Sequence, residues 1–312
     1  MRDITDGRSE DPSFHHPKAP PPPRAADVSP NSTLINLKLK GGDWSLIIDK
    51  NMPDAQIRAL IRDICDQAGE SNPEDAAHFG AAIIAHKYGY ERTTTWFEQD
   101  GSLDVFERYL AGFVATAADR PVNVLEVGSF EGGSALWFAE HLLSHPDSKL
   151  ICIDTWAGGP DFEAIETIDM SAVEERFRHN MARAPNRERV SAVKGDSLLS
   201  LAGLVAGGGT STFDVIYVDG DHGMAAVLAD AVLSFRLLRV GGLMIFDDMV
   251  GFPDVGPAME YFVEAFEGDH RLEVLHNKEK MVVTKTSEDK WATPTSIVNM
   301  GTNPFPPPAF TA

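Results

Sequence analysis

Phe213 to Val232 reads FDVIYVDGDHGMAAVLADAV: an apolar run, then Asp219-Gly220-Asp221-His222, then a helical pattern. An apolar strand that stops in a turn and passes into an amphipathic helix is the repeating unit of parallel sheets covered on both faces. Two carboxylates and an imidazole within four residues of the strand end are either a solvated turn or a reaction centre. The rest of the chain decides between the two.

The same unit recurs on either side. After Pro121, short apolar strands alternate with helical segments: VNVLEV, GGSALWFAEHLL, KLICID, SAVEERFRHNM, RVSAVKG, SLLSLAGLV, FDVIYVD, MAAVLADAVLSFRLL and GLMIFDD. A helix around GPAMEYFVEAF follows, then RLEVLH and MVVTK across the short Asn277-Lys278 connection, which only an antiparallel hairpin allows. Residues 121–286 are therefore expected to form an α/β domain. Its sheet is mostly parallel and seven-stranded, closed by an antiparallel hairpin, with helices on both faces. There is no internal repeat.

Residues 34–120 are less regular, and we expect a partly helical N-terminal cap. LINLKLKGGDWSLII alternates around Gly41-Gly42 as a hairpin does. Asp54 is placed to cap AQIRALIRDICDQAG, and Pro73 opens a second helix, PEDAAHFGAAIIAHKYGY, on which His78 and His86 are read as packed or solvated. TTTWFEQDGSLDVFERYLAGF carries Trp96, Phe97 and Phe106, either an aromatic floor for a ligand or core packing, with packing favoured. Residues 1–33 and 287–312 are rich in Pro and polar residues, so a disordered N-terminal tail and an irregular C-terminal one are expected. Trp291, Ile297 and Phe305 are the groups in the latter that would dock. His15-His16 in the N-terminal tail reads as solvated.

Composition bounds the function. Of 312 residues, 43% are hydrophobic and 24% charged, enough for a large core, and the formal net charge is −20. Such a chain is repelled by phosphate backbones and anionic bilayers, so neither nucleic acid nor membrane is an expected partner. Cys65 and Cys152 make no disulfide framework or metal spacing. Together with the absence of an apolar leader or span, they point to the cytoplasm.

In open α/β sheets, ligands sit beyond the carboxyl ends of the strands, and the notable polar residues all lie there. Glu126 ends the first strand, and Gly128, Gly132 and Gly133 allow a tight turn before Ser134 begins a helix. The pattern is not the dinucleotide G-x-G-x-x-G, because Ser129 and Phe130 stand where a second early glycine would be. Asp154 ends the second strand, where an acid suits ribose hydroxyls. Asp196, before Ser197, is placed to accept from an adenine amino group, to cap the next helix, or both. Trp156 is read either as an adenine contact or as ordinary packing, and WAGGPDFEAIETIDM as a flap or a plain loop.

LEVGSFEGGSALW, CIDTWAGG, VKGDSL, FDVIYVDGDH and GGLMIFDDM, in that order, resemble a class I S-adenosylmethionine-dependent methyltransferase over roughly residues 121–285. The last two motifs are most similar to the metal-dependent small-molecule O-methyltransferases of the catechol and macrolide-sugar types. The resemblance implies a cofactor site at Glu126, Gly128, Ser129, Gly132, Ser134, Asp154, Thr155, Asp196, Ser197 and Asp219. It also implies Mg²⁺ held by Asp219, Asp247 and Asp248, with His222 as general base. Whether Asp219 or Asp221 is the ligand stays open at this point.

The chemistry suits these residue types. A hydroxyl is a weak nucleophile until it loses its proton. A hard cation on carboxylates acidifies it, and an imidazole accepts the proton near neutral pH. The expected activity is methyl transfer to a hydroxylated small molecule, in the manner of secondary metabolism, by a monomer or a homo-oligomer. Metal-independent O- or N-transfer, a non-catalytic cofactor-binding role and hydroxylase-like metal chemistry are the alternatives.

Overall fold

The computed structural model describes residues 29–39, 42–69, 73–159, 168–267 and 271–288. The chain divides into two compact units, Met1–Tyr88 and Gly89–Ala312. In the first, β1 (Ser32–Leu39) and β2 (Gly42–Asp49) form the expected hairpin, from Ser32 opposite Asp49 to Leu39 opposite Gly42. Ser32 and Thr33, expected at the end of a disordered tail, are strand. Alternation along the hairpin buries Leu37, Leu39, Trp44, Leu46 and Ile48 against Ile57, Ile61 and Ile64 of α1 (Asp54–Ala68). Asp54 does not cap this helix. Pro53 holds that position with no side-chain cap, and the Asp54 carboxylate pairs at 2.8 Å with Lys87 near the end of α2 (Pro73–Tyr88). His78 and His86 on α2 are exposed.

Residues 89–120, grouped with the cap on sequence, fold with the sheet unit instead. They form three short helices, α3 (Trp96–Gln99), α4 (Ser102–Tyr109) and α5 (Ala111–Thr116). The sheet strands are β3 (Asn123–Val127), β4 (Lys149–Asp154), β5 (Val190–Lys194), β6 (Phe213–Val218), β7 (Leu238–Phe246), β8 (Leu272–Asn277) and β9 (Met281–Lys285), in the order β5-β4-β3-β6-β7-β9-β8. All pair in parallel except β9, which is antiparallel to both β7 and β8. The chain builds outward from β3 to β5, then returns to β6 on the other side of β3, so the order reverses between β3 and β6. This is the Rossmann-like sheet with a reversed last strand read from the sequence.

Alternation along the central strands feeds two core layers. Val124, Val215, Tyr217 and Ile245 pack with α4, α5, α6 (Gly133–His141) and α7 (Val173–Met181). Leu125, Ile216, Val218 and Phe246 pack with α8 (Ser197–Ala206), α9 (Met224–Leu237) and α10 (Val255–Glu267). Among the described residues no helix is long and apolar enough to cross a membrane. His15-His16, Trp291, Ile297, Phe305, most of both expected tails and residues 160–167 of the expected flap lie outside the described residues.

Phe106 ties the 89–120 segment to the sheet. It is fully buried, with ring centroids 5.1 Å from Phe97, Trp137 and Tyr217 and 4.9 Å from Phe138. Phe106→Ala is expected to lower the stability of the sheet unit by about 3–5 kcal/mol in urea unfolding. A separable cap would leave the main transition where it was.

Candidate active site

The crevice opens where the strand order reverses, and one glycine lets it form. Gly128 follows β3 with φ +82°, and a Cβ there would lie 1.7 Å from the carbonyl oxygen of Asp219, just past β6. No other residue tolerates that approach. The ladder runs one step beyond the strands: Asp219 N donates to Val127 O at 2.8 Å, Gly128 N to Ile153 O at 2.9 Å and Asp247 N to Val218 O at 3.0 Å. Backbone pairing thus anchors every strand end that carries a candidate residue in the centre of the sheet.

On the β3–β4 side, Asp154 clamps the glycine turn. Its two oxygens accept from Phe130 N at 2.7 Å and Trp156 N at 2.6 Å, and the Trp156 indole donates to Phe130 O at 2.9 Å. Each Asp154 oxygen keeps a lone pair, so the clamp is compatible with ribose hydroxyls. Trp156 is 4% exposed and packs on Phe177, which makes it a core residue and not an open adenine platform. Glu126 is fully buried and accepts from Ser134 Oγ at 2.6 Å, fastening β3 to the first turn of α6. Burial raises its carboxyl above the usual range, with the Ser129 and Ser134 hydroxyls opposing. Ser129 is buried, and Gly132 turns at φ +88°, a left-handed backbone that favours glycine. Thr155 is exposed, its hydroxyl accepting from Ala157 N at 3.2 Å. Asp196 caps α8 through Leu199 N at 3.0 Å, and Ser197 begins that helix.

On the β6–β7 side, Asp219, His222 and Asp248 come together, each offering a ligand-type atom within 4.8 Å of the others. The His222 ring stacks on Phe252 at 3.7 Å and 11°, and its Nε2 lies 3.0 Å from Asp248 Oδ2. Asp248 reaches it from a left-handed backbone, φ 57°. Asp221 is not in the cluster: its carboxylate accepts from Gly223 N at 2.7 Å and shapes the turn into α9. Burial pushes the Asp219 carboxyl well above the usual range, and the Asp247 and Asp248 charges push it further, with Lys280 opposing.

Asp247, expected as a cation ligand, is engaged elsewhere. Its Oδ1 takes the Lys280 ammonium and, at 2.6 Å, Asp248 N; its Oδ2 takes the Tyr217 hydroxyl and, at 3.2 Å, Ser102 Oγ. A carboxylate has about four lone-pair positions, and these four partners fill them. The Tyr217 hydroxyl also lies 3.2 Å from Asp219 Oδ2, and Lys280 Nζ lies 3.3 Å from Asp100 Oδ2. Burial by itself would lower the Lys280 pKa. The Asp247 and Asp100 charges outweigh it and hold the ammonium above its usual value. The aromatic floor resolves into parts: Phe106 is core, Phe97 packs on it, and Trp96 stacks on Phe130 at 5.5 Å.

Sequence reading missed Lys280, Tyr217, Ser102 and Asp230. Only Asp230 carried a signal, as an acid on the buried face of α9 in line with Val227, Ala231 and Ser234.

Residues 125–249 match the family model of a methyltransferase domain. The match lies within the sheet unit, whose strand order and glycine turn after β3 are those of the fold expected from the sequence. Among solved structures, the chain is similar to the O-methyltransferase TomG from Streptomyces achromogenes, involved in tomaymycin synthesis and seen in complex with S-adenosylmethionine. The two are 19% identical, covering 76% of this chain and 100% of that one, with a TM-score of 0.46. It is also similar to the O-methyltransferase from Bacillus cereus in complex with S-adenosylhomocysteine, at 17% identity over 75% and 100% of the two chains, with a TM-score of 0.45. No curated protein sequence matches the chain.

Asp230 is 1% exposed, and neither of its carboxylate oxygens has a hydrogen-bond partner among the described residues. Burial raises its pKa to about 6, aided by Asp196 and Asp221 and opposed by the Ser197 hydroxyl. Because the folded value exceeds the unfolded one, the stabilising effect is complete below about pH 4 and is lost as pH rises through 6, a swing of about 3 kcal/mol. Asp230→Asn should flatten that fall in urea denaturation between pH 4 and 7.5, and the variant should be the more stable protein at the upper end.

Proposed function

We propose that this chain moves the methyl group of S-adenosylmethionine to a hydroxyl oxygen of a small-molecule acceptor, with His222 as general base. The Asp219–His222–Asp248 cluster at the carboxyl ends of β6 and β7 carries the reading, because it gathers acid and imidazole beside the strand-order reversal. In such a transfer the acceptor oxygen attacks the sulfonium methyl carbon, the S–C bond breaks, and the hydroxyl proton passes to the enzyme. We assign this proton to the His222 imidazole, whose Nε2 lies 3.0 Å from Asp248 Oδ2. Asp248 then stabilises the imidazolium, and the Phe252 ring holds the imidazole plane. Asp154 and the α8 cap at Asp196 are the groups we assign to the nucleoside end of the cofactor.

The donor set also fits a divalent cation. Asp219 and Asp248 offer hard oxygen ligands in a place where carboxylate repulsion is unrelieved, and they would hold Mg²⁺. When bound, such an ion supplies the charge that acidifies the acceptor hydroxyl. A second reading, transfer without metal, is favoured by one observation: His222 and Lys280 already engage Asp248 and Asp247. Buried Cys65 and Cys152, which form no disulfide, suit a reducing compartment.

Two measurements test these readings. His222→Ala should lower kcat on catechol or sugar-hydroxyl acceptors by about 10²–10⁴-fold with the cofactor KM unchanged; an unaltered kcat removes the base. Calorimetric titration of Mg²⁺ into protein saturated with S-adenosylhomocysteine should give saturable binding that Asp219→Asn or Asp248→Asn weakens. Full activity in chelator would establish the metal-free reading.

A further inference from the structure

We propose that Lys280 is a resident cation of the acceptor site, a positioning residue whose ammonium takes Asp247 out of the cation-binding set. The cluster then turns only Asp219, Asp248 and His222 toward the acceptor. The inference rests on the cation reading above.

Register brings Lys280 to this place. β9 runs antiparallel to β7 with Met281 opposite Phe246, so the preceding residue, Lys280, falls level with Asp247, the residue after Phe246. The hairpin turn is stitched down on either side: Met249 N donates to Glu279 O at 3.0 Å, and Lys278 N to Lys280 O at 3.0 Å. Lys280 is 2% exposed, deep enough that its ammonium must be matched by buried charge. Asp247 supplies that charge directly and Asp100 does so at 3.3 Å. Asp247 in turn receives the Tyr217 hydroxyl, which stands 3.2 Å from Asp219. Lys280 therefore sets the position of Asp247, Asp247 that of Tyr217, and Tyr217 lies against the acceptor-facing Asp219. A chain with an apolar residue at 280 would present three carboxylates to a cation. This one presents two and an imidazole.

The test is calorimetric titration of Mg²⁺, and separately Mn²⁺, into full-length protein saturated with S-adenosylhomocysteine, with folding checked by circular dichroism. Lys280→Gln frees a carboxylate and should tighten cation binding about tenfold or more. Asp247→Asn in the otherwise unchanged chain should leave the wild-type affinity where it was, and the double variant should lose the gain. Cation binding abolished by Asp247→Asn would make Asp247 a ligand and overturn the inference while the cation reading stands. If the wild type binds no cation and Lys280→Gln does, the inference holds and the native cation site falls. If neither binds, both fall. Should Lys280→Gln not fold, the comparison of Asp247→Asn with wild type decides alone.

Discussion

The approach of Gly128 to the Asp219 carbonyl is the constraint on which the site depends. Two parallel strands that leave the sheet in different directions ordinarily diverge at their carboxyl ends, and the divergence makes the crevice. Here the backbone after β3 turns at positive φ against the backbone after β6, so the crevice has a fixed floor. Asp154 then holds the glycine turn from one side through two backbone N–H groups. On the other side, Asp219 and the step of ladder beyond Val218 set the starting point for the acids of β6 and β7.

Much of this was legible in the sequence, for a physical reason. Strands buried on both faces are apolar throughout and short, and the helices between them carry a single apolar face, so order and direction follow from pattern. The end-of-strand positions of Asp154, Asp196, Asp219 and His222 followed in the same way. Direction within a strand end was not legible. Asp247 and Asp248 are neighbours in sequence, but successive side chains leave a strand on opposite sides. Asp247 points to Lys280 and Tyr217, and Asp248, from its left-handed backbone, to His222. Nor could the sequence show that residues 89–120 belong to the sheet unit. Helices of four, eight and six residues are short for a periodic signal, and although packing was favoured for Phe106, its partner Tyr217 on β6 shows only in the fold.

The electrostatics concentrate where the fold is least free to relax. The chain is strongly acidic, and among the described residues buried Glu126 and Asp230 and half-buried Asp219 are acids whose pKa is raised, each at or beneath the strand ends. Groups held against their preferred charge state are costly to stability and gather at working sites. Left-handed Asp248 adds roughly 1 kcal/mol of backbone strain in the same place.

The reversed last strand has a consequence for how the chain can change. In an all-parallel sheet, each strand beside the crevice delivers its carboxyl end to it. Because β9 runs the other way, its amino end arrives there, and a residue far along the chain is set against Asp247 by register and not by a loop of its own. A slip of one residue between β7 and β9 would bring Glu279 or Met281 level with Asp247, replacing an ammonium by a like charge or by nothing. The spacing around 278–281 is therefore tied to the β6–β7 side of the crevice. Insertions that the exposed turn would tolerate sterically would be felt first in the charge of the site.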